Sequence, residues 1–113
     1  MTSAETWYMF RHAVLREAAY GLQPPSARAD LHKLALAILE HLVPDAERDA
    51  IARELAFHAH QGQQADKQTT RSHGLIRKEL DYELRAARWA ERTYQPDAAI
   101  ASWLRCAQNP LAT

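Results

Sequence analysis

The stretch 26–42, Ser-Ala-Arg-Ala-Asp-Leu-His-Lys-Leu-Ala-Leu-Ala-Ile-Leu-Glu-His-Leu, decides the fold. Leu31, Leu34, Ala35, Ile38, Leu39 and Leu42 recur at the spacing of one helical face. Ahead of them, Pro24-Pro25 breaks the chain, and Pro25 or Ser26 can open the helix. Behind them, Pro44-Asp45 ends it and caps the next one. The same period extends outward on both sides. Toward the N-terminus, Leu15, Ala18, Ala19 and Leu22 make a helix from His12, with Gly21 near its stop. The aromatic run Trp7-Tyr8-Met9-Phe10 has β-propensity and predicts a short extended segment before that helix.

Toward the C-terminus, Ile51, Leu55, His58 and Ala59 share a face that closes at Gly62, and Asp49 stands four residues before Arg53. Residues 62–74 are polar, lack periodicity and finish on Gly74, which predicts a mobile connection. Beyond it, one stripe of Ile76, Leu80, Leu84 and Ala87 runs beside a second of Tyr82, Ala86 and Trp89, an arc wide enough for two neighbouring helices. Gln95-Pro96-Asp97 makes a turn, and a last helix presents Ala99, Ile100, Trp103, Leu104 and Ala107 before Asn109-Pro110. The expected fold is therefore all-α, about five helices in antiparallel hairpins. Its parts are an extended lead-in at 1–11, a three-helix segment at 12–62, a polar linker at 63–74 and a helix pair at 75–113.

Composition agrees: 22 alanines and 13 leucines stand against 6 valines and isoleucines together, among 113 residues. So much alanine predicts a core of close helix contacts rather than bulky side chains. Fourteen basic residues balance 14 acidic ones, which argues against nucleic acid and against a basic membrane-surface helix. No apolar run is long enough for a membrane span, and the first residues lack the pattern of a signal peptide, so a cytoplasmic protein is expected. One cysteine, Cys106, excludes an internal disulfide.

Little points to catalysis. Gly21, Gly62 and Gly74 are isolated, and none opens a phosphate loop. His58 and His60 lie two apart, about 200 degrees around a helix, so they do not face one metal ion. Their expected places are the core edge for His58 and a helix C-terminus for His60. Cys106 reads as a packing residue, and Glu79, Asp81, Glu83 and Glu91, interleaved with Arg85, Arg88 and Arg92, read as a solvated helix face. No catalytic residue, metal or cofactor is expected.

The run Phe10-Arg11-His12-Ala13-Val14-Leu15-Arg16-Glu17-Ala18-Ala19-Tyr20, followed by Arg28 and Leu31-His32, resembles a segment of bacterial signal-transduction ATPases with numerous domains. That segment follows the nucleotide-binding and winged-helix parts. Glu54-Leu55-Ala56-Phe57-His58 is similar to the family's next helix, so the likeness covers roughly the first sixty residues. The family's winged-helix part ends in Met-His-Asp and Leu-Leu-Arg, to which Arg11-His12-Ala13-Val14-Leu15-Arg16 is similar, with Ala13 where the family often has Asp. The resemblance implies that His12 senses nucleotide, between a last wing strand at Trp7–Phe10 and the first helix. The C-terminal part resembles one degenerate tetratricopeptide repeat, through Tyr82, Ala86 and Trp89, then Ala99, Trp103 and Cys106, with Pro110 near its end.

These readings converge on a non-catalytic helical interaction or regulatory module, a fragment or relative of a signalling ATPase. Its protein-contact residues are expected to be Tyr82, Trp89, Trp103 and Leu111, and its partner another protein, the rest of a larger ATPase or a second copy. A small helix-turn-helix regulator using Arg28 to Leu42 stands as the alternative. A metal protein built on His58, His60 and His73 is a third.

Overall fold

The computed structural model describes residues 3–19, 25–63 and 70–112, with side chains over 3–13, 27–63 and 73–112. The described residues form five α-helices and no strand: α1 Ser3–Ala19, α2 Pro25–Leu42, α3 Ala52–Gly62, α4 Thr70–Arg92 and α5 Pro96–Gln108. Short 3₁₀ helices run over Asp45–Ile51 and Pro110–Ala112. Prolines punctuate the chain as expected. Pro25 begins α2 and Pro96 begins α5, each at a position where the missing N–H is not needed. Pro44, extended at φ −57° and ψ 147°, separates α2 from the first 3₁₀ helix.

Each helix packs against the next one in the chain. Polar bonds fix the directions: Trp103 meets Glu91, Arg105 meets Glu83 and Asn109 meets Ile76, so numbers rise along α5 as they fall along α4. Between α3 and α4 the pairs are Arg53 with Glu83 and His60 with Glu79, again antiparallel. The body measures 39 × 38 × 23 Å, about two helix diameters thick. At its centre Leu36 and Leu39 of α2 meet Leu55, Ala56 and Ala59 of α3 and Tyr82 of α4. Nine of the fifteen buried apolar residues among those described are alanine, the close-packed core that the composition predicts.

Two expectations about the fold are corrected. Trp7–Phe10 is not extended but lies inside α1. Trp7, Phe10 and Arg11 lie at i, i+3 and i+4, Trp7 packs on the core cluster, and Arg11 pairs with Glu54 of α3 at 2.9 Å. Docking of that helical face outweighs the β-propensity of the aromatics. The polar connection is also shorter than 63–74, because α4 begins at Thr70 and takes in Gly74. A Cβ at Gly74 would meet nothing within 4 Å, so this glycine neither stops the helix nor serves a close approach. Residues 64–69 of the expected linker lie outside the described residues, as does the Gly21 stop. Core residues on either side of that connection belong to one cluster.

The turn after α4 carries backbone strain. The Gln95 N–H donates to the Ala90 carbonyl at 2.8 Å and the Tyr94 N–H to that of Glu91 at 3.2 Å, which closes the helix as a Schellman motif. Tyr94 occupies the left-handed position of this motif, φ 59°, where glycine is usual, and it is 92% exposed. Tyr94→Gly is therefore expected to raise stability by about 1 kcal/mol, read as a higher urea midpoint. A lower midpoint would mean that the ring contributes more than its backbone costs.

Candidate functional site

α3 and α5 both pack on α4, and a groove opens between them. Its floor comes from Glu79, Glu83, Ala86 and Ala90, which recur at steps of four, three and four along one face of α4. One basin, of about 500 Å³, lies beside Phe57, His60 and Pro110. A second, of about 300 Å³, lies beside Trp89, Gln95 and Ser102. Arg53 from α3 and Arg105 from α5 border both basins.

Between these arginines stands Glu83, only 2% exposed. Its Oε2 accepts a 2.7 Å hydrogen bond from Arg105 Nε, and Arg53 Nη1 lies 3.6 Å from the same oxygen. Its Oε1 is buried without a hydrogen-bond partner. Arg105 also donates to Ser102 Oγ at 3.1 Å, whereas the Arg53 side chain is about half exposed, at 48%. Two cations thus share one carboxylate. Other polar groups near the groove are hydrogen-bonded to one another. Gln63 Nε2 donates to Glu79 at 2.7 Å, with His60 Nδ1 at 3.2 Å from both carboxylate oxygens. Asp49 accepts from Arg85 and Arg92, each at 2.7 Å, and these bonds hold its carboxyl below the usual range.

A second polar feature lies between α2 and α3, where His32 and His58 are buried with their Nδ1 atoms 2.9 Å apart. One ring donates and the other accepts, which requires the accepting imidazole to be neutral. Burial, with the charges of His32 and Arg11 adding to it, pushes His58 down to about 4, and burial lowers His32 as well. Glu54 Oε2 sits 3.6 Å from His58 Nε2. This pair ties two helices together.

The residues singled out by sequence separate into groups. Tyr82 is taken up by the core, where its hydroxyl donates to Glu40 and burial keeps the phenol protonated. It therefore offers no contact surface. Trp89 is half-buried beneath the Arg92 guanidinium, 5.6 Å from the ring centroid. Trp103, 36% exposed, and Leu111 lie at the surface, with Trp103 Nε1 donating to Glu91 at 2.6 Å. His12 is exposed in mid-helix, its ring 4.3 Å from that of Tyr8, so it lacks the strand-to-helix position the resemblance implied.

The expected pair of Asp49 with Arg53 is replaced by pairs across helices, since each of these residues faces α4. His60 lies in the last turn of α3, at the helix C-terminus as expected, and its ring meets the Glu79 carboxylate there. His58 lies in the interior and His73 is exposed, and the described residues hold no group of three His, Cys, Asp or Glu side chains fit for a metal ion. Cys106 is buried, and burial together with nearby Glu83 raises its thiol. Among the described residues no helix is long and apolar enough to cross a membrane.

Sequence reasoning assigned Glu83 to a solvated face, and the structure buries it. The signal was there: Glu83 lies three residues from Leu80 and from Ala86, inside the apolar arc. Compared with protein-family models, curated proteins and solved structures, the chain matches none.

Proposed function

We propose that the chain is a non-catalytic helical interaction module of a regulatory system, and that its contact face is the outer side of α5. The observation that carries this reading is a stripe of Ile100, Trp103, Leu104 and Ala107, at i, i+3, i+4 and i+7, left exposed on a helix whose opposite side is already packed. Ala99, Ser102 and Cys106 fill that packed side, while Ile100 is 59% and Leu104 57% exposed. An apolar stripe of this width on a surface helix marks a contact. The bond from Trp103 Nε1 to Glu91 holds the largest ring in place before binding, which lowers the entropy lost on association.

The occupant we assign to the stripe is a second copy of the chain. In an antiparallel pairing centred between Trp103 and Leu104, Ile100 faces Ala107 of the partner and Trp103 faces Leu104, large against small on both sides. The balanced charge of 14 basic and 14 acidic residues sets no net repulsion against it. The resemblance of Phe10–Tyr20 to signal-transduction ATPases supports the regulatory setting, and supplies the rest of such an ATPase as the competing occupant.

Light scattering across a concentration series tests this. The chain is expected to double in mass as concentration rises, and Ile100→Glu with Leu104→Glu to remain monomeric with an unchanged helical circular dichroism spectrum. A chain that stays monomeric throughout overturns the second copy as occupant. A variant that still dimerises overturns the α5 face.

A further inference from the structure

We infer that the groove between α3 and α5 receives an extended acidic peptide segment, with a ligand carboxylate held at Arg53. This inference rests on the reading of the chain as an interaction module and names a ligand for a different face.

Shape argues for a peptide. The floor from Glu79 to Ala90 covers eleven steps of helical rise, about 16 Å, which accommodates roughly five residues of extended chain. Its two basins, about 500 and 300 Å³, meet at Arg53 and Arg105. Ala56, Ala86 and Ala90 line the groove with methyl groups, which leaves room for a main chain close to the helices. Phe57 and Pro110 supply apolar wall at one end, and Trp89 at the other.

Charge argues for acidity. Two guanidinium groups face the single Glu83 carboxylate at the point where the basins join. Arg105 is committed, by hydrogen bonds to Glu83 and Ser102. Arg53, 3.6 Å from Glu83 and about half exposed, lies beyond hydrogen-bond distance and keeps its donor fork for an incoming carboxylate. The second basin's Asp49 is already neutralised by Arg85 and Arg92, and Glu79, at the far end of the larger basin from the arginines' junction, is engaged by hydrogen bonding with Gln63 and His60.

The buried Glu83 supplies an independent pointer to a ligand. Its Oε1 has no donor, although Glu83 lines the larger basin. A buried carboxylate oxygen left unsatisfied is costly. A peptide main chain carries an N–H beside each acidic side chain, so one segment brings the acceptor for Arg53 and the donor for Glu83 together. A fully deprotonated anion such as sulfate brings only the first.

The test uses fluorescence anisotropy with two labelled pools of short peptides in an Ala/Ser/Gly background, one rich in Asp and Glu, the other in Lys and Arg. At low ionic strength the acidic pool is expected to bind and the basic pool not to, with affinity falling as salt is added. Arg53→Glu should weaken the acidic pool about tenfold or more, and Arg53→Lys by less, because the fork geometry is lost while the charge stays. Equal binding of both pools, no binding of either, or an Arg53→Glu variant that binds as well as the parent overturns the inference. Displacement of the pool by inorganic phosphate at equal concentration overturns the peptide and leaves an anion site. The monomeric Ile100→Glu, Leu104→Glu variant separates the two readings. Retained peptide binding in that variant supports the groove whatever happens to dimerisation, and an Arg53→Glu chain that still dimerises leaves the α5 face standing.

Discussion

Acidification between pH 6.5 and pH 4 is expected to destabilise the chain by about 3 kcal/mol through His58 alone, at about 1.4 kcal/mol per unit of pKa displacement. In the unfolded chain an imidazole takes up its proton near pH 6.5, whereas in the fold His58 does so only near pH 4. Between those values only the unfolded state binds the proton, so each step toward acid favours unfolding. His32 is lowered as well and adds to the loss. Burial is the largest cause. The charges facing His58 are His32 itself and Arg11, which oppose protonation, and Glu54 at 3.6 Å from Nε2, which favours it. Asp49 does not blur the window, because its carboxyl titrates below the ordinary aspartate value of 3.8 and its contribution is lost only in stronger acid. Urea midpoints measured at intervals between pH 7 and pH 4 check this. A flat profile would contradict it, and His58→Gln should flatten the curve. With total stabilities of about 5–15 kcal/mol for small domains, a loss of this size is a large fraction of the whole.

Removing the committed arginine from the groove is expected to have an effect of similar size. Arg105→Met leaves Glu83, 2% exposed, with only the Arg53 contact at 3.6 Å. Removing the hydrogen-bonded partner of a buried carboxylate costs about 3 kcal/mol, which corresponds to a fall in Tm on the order of 10 °C. The double variant Glu83→Met, Arg105→Met removes the orphan together with its partner, and is expected to recover most of that loss through apolar packing. Thermal unfolding of the single and double variants, followed by circular dichroism, decides the matter. A single variant within about 1 kcal/mol of the parent, or a double variant no better than the single, would show that Glu83 is not held as a buried ion. The same pair connects α4 to α5, so stability and the shape of the groove rest on one contact.

Much of this architecture was legible along the chain because it depends on local periodicity. Leu31 to Leu42, Leu55 with Ala59, and Leu80 with Ala87 carry the helical repeat within their own residues, and Pro25, Pro44 and Pro96 mark breaks by steric rules that need no partner. Trp7–Phe10 was misread because its propensity and its packing disagree. Its helical face gains by docking against α2 and α3, and nothing within those four residues records that surface.

The candidate site was less legible. The alternation of charges on α4 by itself does not separate Glu83, which is buried and shared by two arginines, from Asp81, which is exposed and pairs locally with Arg77. Only the place of Glu83 between Leu80 and Ala86 on the apolar arc does. Tyr82 and Trp103 looked alike as contact aromatics, yet one is core and the other surface. For Tyr82 the deciding fact is Glu40, forty-two residues away in the chain, which accepts its hydroxyl.

The amino-acid sequence by itself determined the helical class, most of the breaks and an alanine-rich interior, since these follow from residue period, backbone sterics and side-chain volume. Only the tertiary structure decided which faces meet: the neutral His32–His58 pair, the buried Glu83 between Arg53 and Arg105, and the open groove over α4. The reason is physical. Burial and charge pairing are properties of distances between helices, and a helical period specifies a face without specifying what lies opposite it.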